Sequence, residues 1–533
     1  MLLAAPTVER EQSAVPKNVV FVFDRSGSMS GEKIEQARDA LTFCVNSLGP
    51  EDEFEIISFS DNIRSFGEAL SRAKPERIKA AREWLKGLEA SGSTDLDAAM
   101  ELAMRRRRAN RPNYIVMLTD GLPTSGETDL TKILKNVDDR RGQMTEAPTR
   151  VFIFGVGYDV DTHFLDKMSV QNNGVATYVR PSESIEAKVS SFYAKISRPV
   201  LTEIALGFGE IKVNDLFPRE LPDIFYGSQI VLLGRYDDRT CGKATVTLAG
   251  HTSEGSHDFT IEAKFPKERT KDDYIPVLWA SRKIGWLLDE IRLHGENKEL
   301  VDEIVRLGTE YGILTEYTAF LAQEQGTITA AEATDRLAAP TGGFGAGGAL
   351  QTTTQGGYAI SQRDNTLAMQ KADNMAAQNA YIDAEGNWQR IGNIINVGQR
   401  GFIQQGEQWV DSRLRVGTEE QLKPELQVQA FSEAHFQLAR DFPKTADMLS
   451  AAQDLLVLIN GHVVQIGEQG KQTLTDDDLK LLQTPVQPGN APGNDVGALP
   501  AGEGNAAGVS VAGLAMAMVL GLAVAFGRHG AAG

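Results

Sequence analysis

Asn18-Val19-Val20-Phe21-Val22-Phe23-Asp24-Arg25-Ser26-Gly27-Ser28-Met29 contains five consecutive β-branched or aromatic residues, Val19 to Phe23, followed by a loop rich in small and oxygen-bearing ones. An apolar run without polar alternation is the pattern of a strand covered on both faces, as in a parallel sheet. After it, Ile34, Ala37, Leu41, Cys44 and Leu48 step by three and four to form one apolar helix face, and Gly49-Pro50 stops that helix. Residues 54–59, 114–118 and 151–154 repeat the strand pattern with amphipathic stretches between them. The alternation from Val19 to about Ser197 predicts an α/β fold: a doubly wound, mostly parallel, Rossmann-like sheet with helices on both faces.

In such a sheet ligands bind at the carboxyl ends of strands near the switch point, where the loop after residue 23 falls. Asp24, Ser26 and Ser28 alternate, so an extended or looped backbone can turn three oxygens toward one centre. On its own Asp24-x-Ser26 also reads as a helix N-cap turn. Two further segments add oxygens. Thr94, in Ser91-Gly92-Ser93-Thr94-Asp95, opens a helix and offers a hydroxyl, with Ser93 as the alternative; Asp120 ends the strand of residues 114–119 and leads into Gly121. Asp95 and Asp97 fit the positive end of the following helix. An all-oxygen donor set suits a hard cation, Mg²⁺ or else Mn²⁺ or Ca²⁺.

Asp24-x-Ser26-x-Ser28 followed by Thr94 and Asp120-Gly121 resembles the metal-ion-dependent adhesion site of von Willebrand factor type A domains. The resemblance implies that Ser26 and Ser28 ligate the metal directly, Thr94 directly or through water, and Asp24 and Asp120 mostly through water. Asn18 to Asp24, Pro276-Val277-Leu278-Trp279-Ala280, Arg282-Lys283-Ile284-Gly285 and Tyr311-Gly312-Ile313-Leu314-Thr315 are similar to segments of the inter-alpha-trypsin inhibitor heavy-chain family and its bacterial relatives. It covers roughly residues 1–320, and the unit near residues 391–482 resembles the tail of the bacterial members more weakly. In that family a β-rich domain precedes the type A domain. Here Leu2-Leu3-Ala4-Ala5-Pro6 resembles its last strand, so residues 1–17 are read as a remnant and the preceding domain and signal peptide as missing.

Composition narrows the function. With 533 residues, two to four structural units are expected. A formal net charge of −18 disfavours nucleic acid as a partner. The dense basic run, Arg105 to Arg108, falls where a helix should end, a favourable place for cations. Cys44 and Cys241 are too far apart in sequence to suggest a metal-ligand pair, and Cys44 reads as a buried free thiol. The seven histidines form no HExxH or HxxxH pair, which argues against a zinc hydrolase.

Beyond an α/β domain at 18–197, the pattern predicts a β-rich unit followed by a helical pair over 198–325 and a flexible linker at 338–362. An α+β unit at 363–485 comes next, with strands around residues 394–397 and 409–410, a helix through residues 431–438 and another near 448–458. A second linker at 486–508 leads to an uncharged apolar run at 509–526. As a helix that run would span ~27 Å, enough for a single membrane crossing. Arg528 behind it points to a bulk on the extracytoplasmic side, with a cytoplasmic tail-anchored protein as the alternative. Gly513, Ala517, Gly521 and Ala525 recur every fourth residue, a spacing that lets a second copy pack close and form a homodimer.

The leading functional reading is a metal-dependent adhesion or scaffold protein. A cation held by neutral hydroxyls keeps much of its charge, so an acidic side chain of a protein partner can complete its coordination. The alternatives are an intracellular type A assembly factor and a hydrolase using Mg²⁺ as a Lewis acid.

Overall fold

All seven residues of Asn18–Asp24 are buried, which requires a neighbouring strand on each edge and helices on each face. The computed structural model, which describes residues 1–6, 15–109, 111–143, 149–226, 228–267, 272, 274–318, 354–374, 379–383, 385–415, 423–450, 452–486 and 518–522, supplies both. In chain order the first elements are β1 (Leu2–Pro6), β2 (Asn18–Asp24), α1 (Glu32–Asn46), β3 (Glu53–Phe59), β4 (Ile63–Ser65), β5 (Ser71–Arg72), α2 (Pro75–Lys86), α3 (Leu96–Arg105) and β6 (Asn113–Thr119). Next come α4 (Leu130–Gly142), β7 (Thr149–Val156), α5 (Thr162–Val170), β8 (Ala176–Val179) and α6 (Ile185–Ile196).

The sheet order is β4-β3-β2-β6-β7-β8, with β5 also on β3. β2 is parallel to β3 and β6, β6 to β7 and β7 to β8, whereas β4 and β5 run antiparallel to β3 at the edge. Side chains on β2 alternate between two cores, as the period of two requires. Val19, Phe21 and Phe23 pack under α1, α2 and α6. Val20 and Val22 pack under α3, α4 and α5. Each fully buried side chain of this size stabilises by roughly 1.5–3 kcal/mol. Cys44 belongs to the first core as a free thiol, and burial pushes its ionisation above the usual range. The doubly wound reading holds.

The strands β9 (Pro199–Gly207), β10 (Val213–Phe217), β11 (Ile224–Phe225), β12 (Ile230–Tyr236), β13 (Gly242–Thr252) and β14 (Gly255–Phe265) follow. They form two four-stranded sheets, β11-β9-β13-β14 and one containing β10-β12-β1, which share a single apolar core. The segment read as a remnant of another domain is thus an integral strand here: β1 pairs antiparallel with β12, Leu2 opposite Leu232 and Ala4 opposite Ile230. Helices α7 (Tyr274–His294) and α8 (Lys298–Tyr311) pack against Phe217 and Leu233 of this unit.

Three expectations need correction. The linker expected over 338–362 ends in structure, because residues 354–362 belong to an ordered segment whose helix α9 is Gly356–Gln370; residues 338–353 lie outside the described residues. Its polar composition concealed the partners: Arg363 is buried, with Nε 3.0 Å from Asp166 and Nη1 3.3 Å from Asp289, while Arg292 bridges the same two carboxylates. Second, the helix expected near 448–458 is confined to a single turn at Ala446–Leu449, and Leu455–Ile459 is a strand. The later elements are β15 (Ala380–Ile382), β16 (Trp388–Arg390), β17 (Ile394–Val397), β18 (Arg400–Gln405), β19 (Gln408–Asp411), β20 (Leu426–Gln429), α10 (Glu433–Asp441), β21 (Leu455–Ile459), β22 (His462–Gly467) and α11 (Asp476–Gln483). β21 lies inside a six-stranded sheet ordered β17-β18-β19-β21-β22-β20, because its five apolar residues have a strand on each side to satisfy their backbone.

Third, within the apolar run at 509–526, Met518–Leu522 is a strand, β23, parallel to β1 with Leu2 opposite Met518 and Pro6 opposite Leu522. β12 covers one edge of β1, and the open edge is a template for any apolar segment able to extend. Gly521 therefore sits on a strand and not on a helix face, while Gly513, Ala517 and Ala525 lie outside the described residues. Among the described residues no helix is long and apolar enough to cross a membrane.

Candidate functional site

β2 is the strand from which the connections diverge, to β3 on one side and β6 on the other. Asp24 ends β2, and Asp120 directly follows β6, so both carboxylates open into the same crevice. After Asp24 the chain turns through a short 3₁₀ segment, Gly27–Met29, before α1 begins.

Hydrogen bonds draw four of the five candidate residues together. Ser26 N donates to Asp24 Oδ1 at 2.8 Å, the Ser26 and Ser28 hydroxyls are 3.0 Å apart, and Ser28 Oγ donates to Asp120 Oδ1 at 2.7 Å. Thr94 arrives with its loop, which is stitched to the first one by Gly27 N donating to Gly92 O at 2.9 Å and Ser91 N to Arg25 O at 2.8 Å. Its own fixed bonds run through the backbone: Thr94 N donates to Thr124 Oγ1 at 2.9 Å, and Thr94 O accepts from Thr124 N at 2.9 Å. Asp24, Ser26, Thr94 and Asp120 are buried, whereas Ser28 is exposed and marks the open side.

Asp95 does not join the cluster. Its carboxylate caps α3 by accepting from Ala98 N at 3.1 Å, as expected for an acidic residue at a helix start. Asp97 accepts from Asn136 and Arg140. The basic run is likewise used within the fold, with Arg105 paired to Glu101, Arg107 bound to Arg140 O at 2.6 Å and Arg108 paired to Glu53 at 3.1 Å.

Two residues escaped the sequence reading. Thr119 Oγ1 donates to Asp24 Oδ2 at 2.6 Å, so both Asp24 oxygens carry neutral donors. Lys33 Nζ stands 2.6 Å from Asp120 Oδ2. Thr119 was detectable as the last strand residue beside Asp120, and Lys33 as a cation in the first turn of a helix, where the backbone dipole opposes it.

The electrostatics favour a cation. Burial first, and the Asp120 charge as well, raise the Asp24 carboxyl to about 6 against the hydrogen bonds from Thr119 and Ser26. Negative charge is thus held in the crevice at a cost that a divalent ion would relieve. Among the described residues no group of three or more His, Cys, Asp or Glu side chains is placed to hold a metal. Hydroxyls would therefore supply part of any coordination, and a set of carboxylates and hydroxyls fits a hard ion such as Mg²⁺.

Residues 17–178 match the family model described as von Willebrand factor type A domain. The chain is 28% identical over 340 residues to inter-alpha-trypsin inhibitor heavy chain H4 of Homo sapiens, covering 59% of this chain and 36% of that one. It is 30% identical over 333 residues to heavy chain H2 of Sus scrofa, covering 58% and 35%. The chain thus spans about a third of the length of these curated relatives. Among solved structures, a von Willebrand factor type A protein from Catenulispora acidiphila aligns at 18% identity with a TM-score of 0.38, covering 56% of this chain and 80% of that one.

Proposed function

Because residues 17–178 carry a von Willebrand factor type A domain in a chain related to the inter-alpha-trypsin inhibitor heavy chains, we propose that this domain is a divalent-cation-dependent socket for a protein partner. Ser26, Ser28 and Thr94 would hold Mg²⁺, or Mn²⁺ or Ca²⁺ in its place, with Asp24 and Asp120 orienting the hydroxyls and the ion's waters. The observation that carries this reading is the hydrogen-bonded chain from Asp24 through Ser26 and Ser28 to Asp120 at the open end of the crevice. An ion held largely by neutral hydroxyls keeps most of its charge, and a partner's Asp or Glu can complete its sphere from the Ser28 side. The proposed role is binding, with specificity set by the surrounding loops, and as adhesion it requires a domain exposed outside the cytoplasm.

Isothermal titration of the chain with Mg²⁺ and Mn²⁺ tests the site. Asp24→Ala and Asp120→Ala should each weaken binding by about 10–100-fold, the usual effect of losing groups that orient metal ligands. Equal affinity in both variants would remove the metal reading. Capture of an acidic partner should be lost in EDTA and return with Mg²⁺; capture indifferent to EDTA would leave the fold assignment standing without the adhesion role.

A further inference from the structure

We infer that Lys33 is a tethered cation built into this site, which holds Asp120 in the metal-free chain and thereby sets how tightly a divalent ion binds. The inference rests on the metal-site reading above. Lys33 is the second residue of α1, whose N-cap position is Gly31, with no side-chain cap. A helix start carries the positive end of the backbone dipole, so a lysine there is locally unfavourable and calls for a compensating partner. Asp120 is that partner. Its side chain is fully buried, whereas Lys33 is 35% exposed, so the ammonium reaches in from the rim.

The two carboxylates are treated differently. Among the described residues the donors to Asp24 are neutral, Ser26 N and Thr119 Oγ1. Asp120 receives the Ser28 hydroxyl on Oδ1 and the Lys33 ammonium on Oδ2. Counting Asp24 and Asp120 as −1 each and Lys33 as +1, the three groups sum to −1; a neutral residue at 33 would leave −2. A divalent ion entering the crevice meets the ammonium in one of two ways. Either Lys33 stays on Asp120 and repels the ion at short range, or it swings outward and the pair is lost. Both weaken binding relative to a site without it, while the pair keeps the empty crevice from holding two uncompensated carboxylates.

Titration of the full chain with Mg²⁺ alone tests this against a purely structural ion pair. Lys33→Gln should bind Mg²⁺ about tenfold tighter than wild type, a difference of about 1.4 kcal/mol. Lys33→Arg, which keeps the charge, should stay close to wild type. Melting temperature provides a second readout: without metal Lys33→Gln should melt below wild type, and saturating Mg²⁺ should close the gap. Affinity unchanged or weakened in Lys33→Gln would overturn the inference, as would a melting deficit that persists in saturating Mg²⁺. Failure of the parent reading is distinguishable, since wild type and Asp24→Ala would then be equally unresponsive to Mg²⁺.

Discussion

Gly92 sits at φ +83°, a backbone conformation that strains any side chain, and a Cβ there would also displace the exposed carboxylate of Asp61. The carbonyl of the same residue accepts Gly27 N and joins the two site loops. Gly92→Ala should therefore cost about 1–3 kcal/mol in urea unfolding, the range for a residue forced into a strained backbone region, and should weaken Mg²⁺ binding by displacing the Thr94 loop. Unchanged affinity alongside lost stability would separate the loop from the site. His462 is a second residue whose effect can be given a sign. Burial would lower its pKa, but Glu425 Oε2 at 2.8 Å from Nδ1 and Thr484 O at 2.8 Å from Nε2 outweigh it and hold the imidazole above its ordinary 6.5. A pKa raised on folding gives stabilisation that is complete below pH 6.5 and is lost as pH rises through the folded value. Wild type should exceed His462→Gln in stability by more at pH 6 than at pH 8, and equal gaps would count against the pair. The five candidate residues could be picked out in sequence because their spacing and strand contexts are local properties, and the structure brings Asp24, Ser26, Ser28 and Asp120 together by hydrogen bonds. Lys33 was not identified, since its meaning depends on the buried carboxylate of a residue 87 positions away.

Among the elements, α9 was least visible in sequence, because nothing in Gly356–Gln370 announces a buried face. What fixes it is charge: Arg363 meets Asp166 of α5 and Asp289 of α7, while Arg180 reaches Asp364 at 2.9 Å. Removing Arg363 leaves the two buried carboxylates to share Arg292 alone, so Arg363→Met should destabilise by about 3–5 kcal/mol. An exposed pair such as Lys86–Glu83 should yield at most about 1 kcal/mol when broken. Denaturant unfolding of the two variants side by side measures the contrast, and similar small losses would mean that α9 is held by its apolar contacts. The β21–β22 hairpin had the opposite history, since its signal was present and unused. Asn460 and Gly461 both have positive φ, 50° and 91°, and Ile459 pairs with His462 across a two-residue turn. Asn-Gly between two apolar runs is a strong local sign of such a turn. A helix was expected nearby because short apolar runs do not distinguish strand from buried helix by periodicity alone. The parallel strands of the α/β domain escaped that ambiguity through their repetition with intervening helices.

At the scale of the whole molecule, the cores indicate which parts share a fate. Ile360 of α9 packs with the α3–α5 face of the α/β sheet, and Met369 from the same helix packs with α7 and α8. Backbone bonds from Thr162 N to Thr354 O at 2.8 Å and Gly356 N to Tyr158 O at 3.0 Å add a seam to the sheet that carries the candidate site. The C-terminal sheet has its own core, built from residues such as Phe402, Val457 and Val464. Its polar joins to the rest include Asn396 Nδ2 to Tyr311 O at 2.7 Å and Ser412 Oγ to Thr309 O at 2.6 Å. Calorimetry should accordingly resolve two transitions, one for the α/β sheet with α7–α9 and one for the C-terminal sheet. A ligand that binds only folded protein stabilises by mass action, about 2.7 kcal/mol at a hundredfold excess over Kd. Mg²⁺ should therefore raise the first transition and leave the second in place, and Arg363→Met should lower the Mg²⁺-sensitive one. A single transition that moves as a whole with Mg²⁺ would show instead that the two polar joins couple the C-terminal sheet to the site.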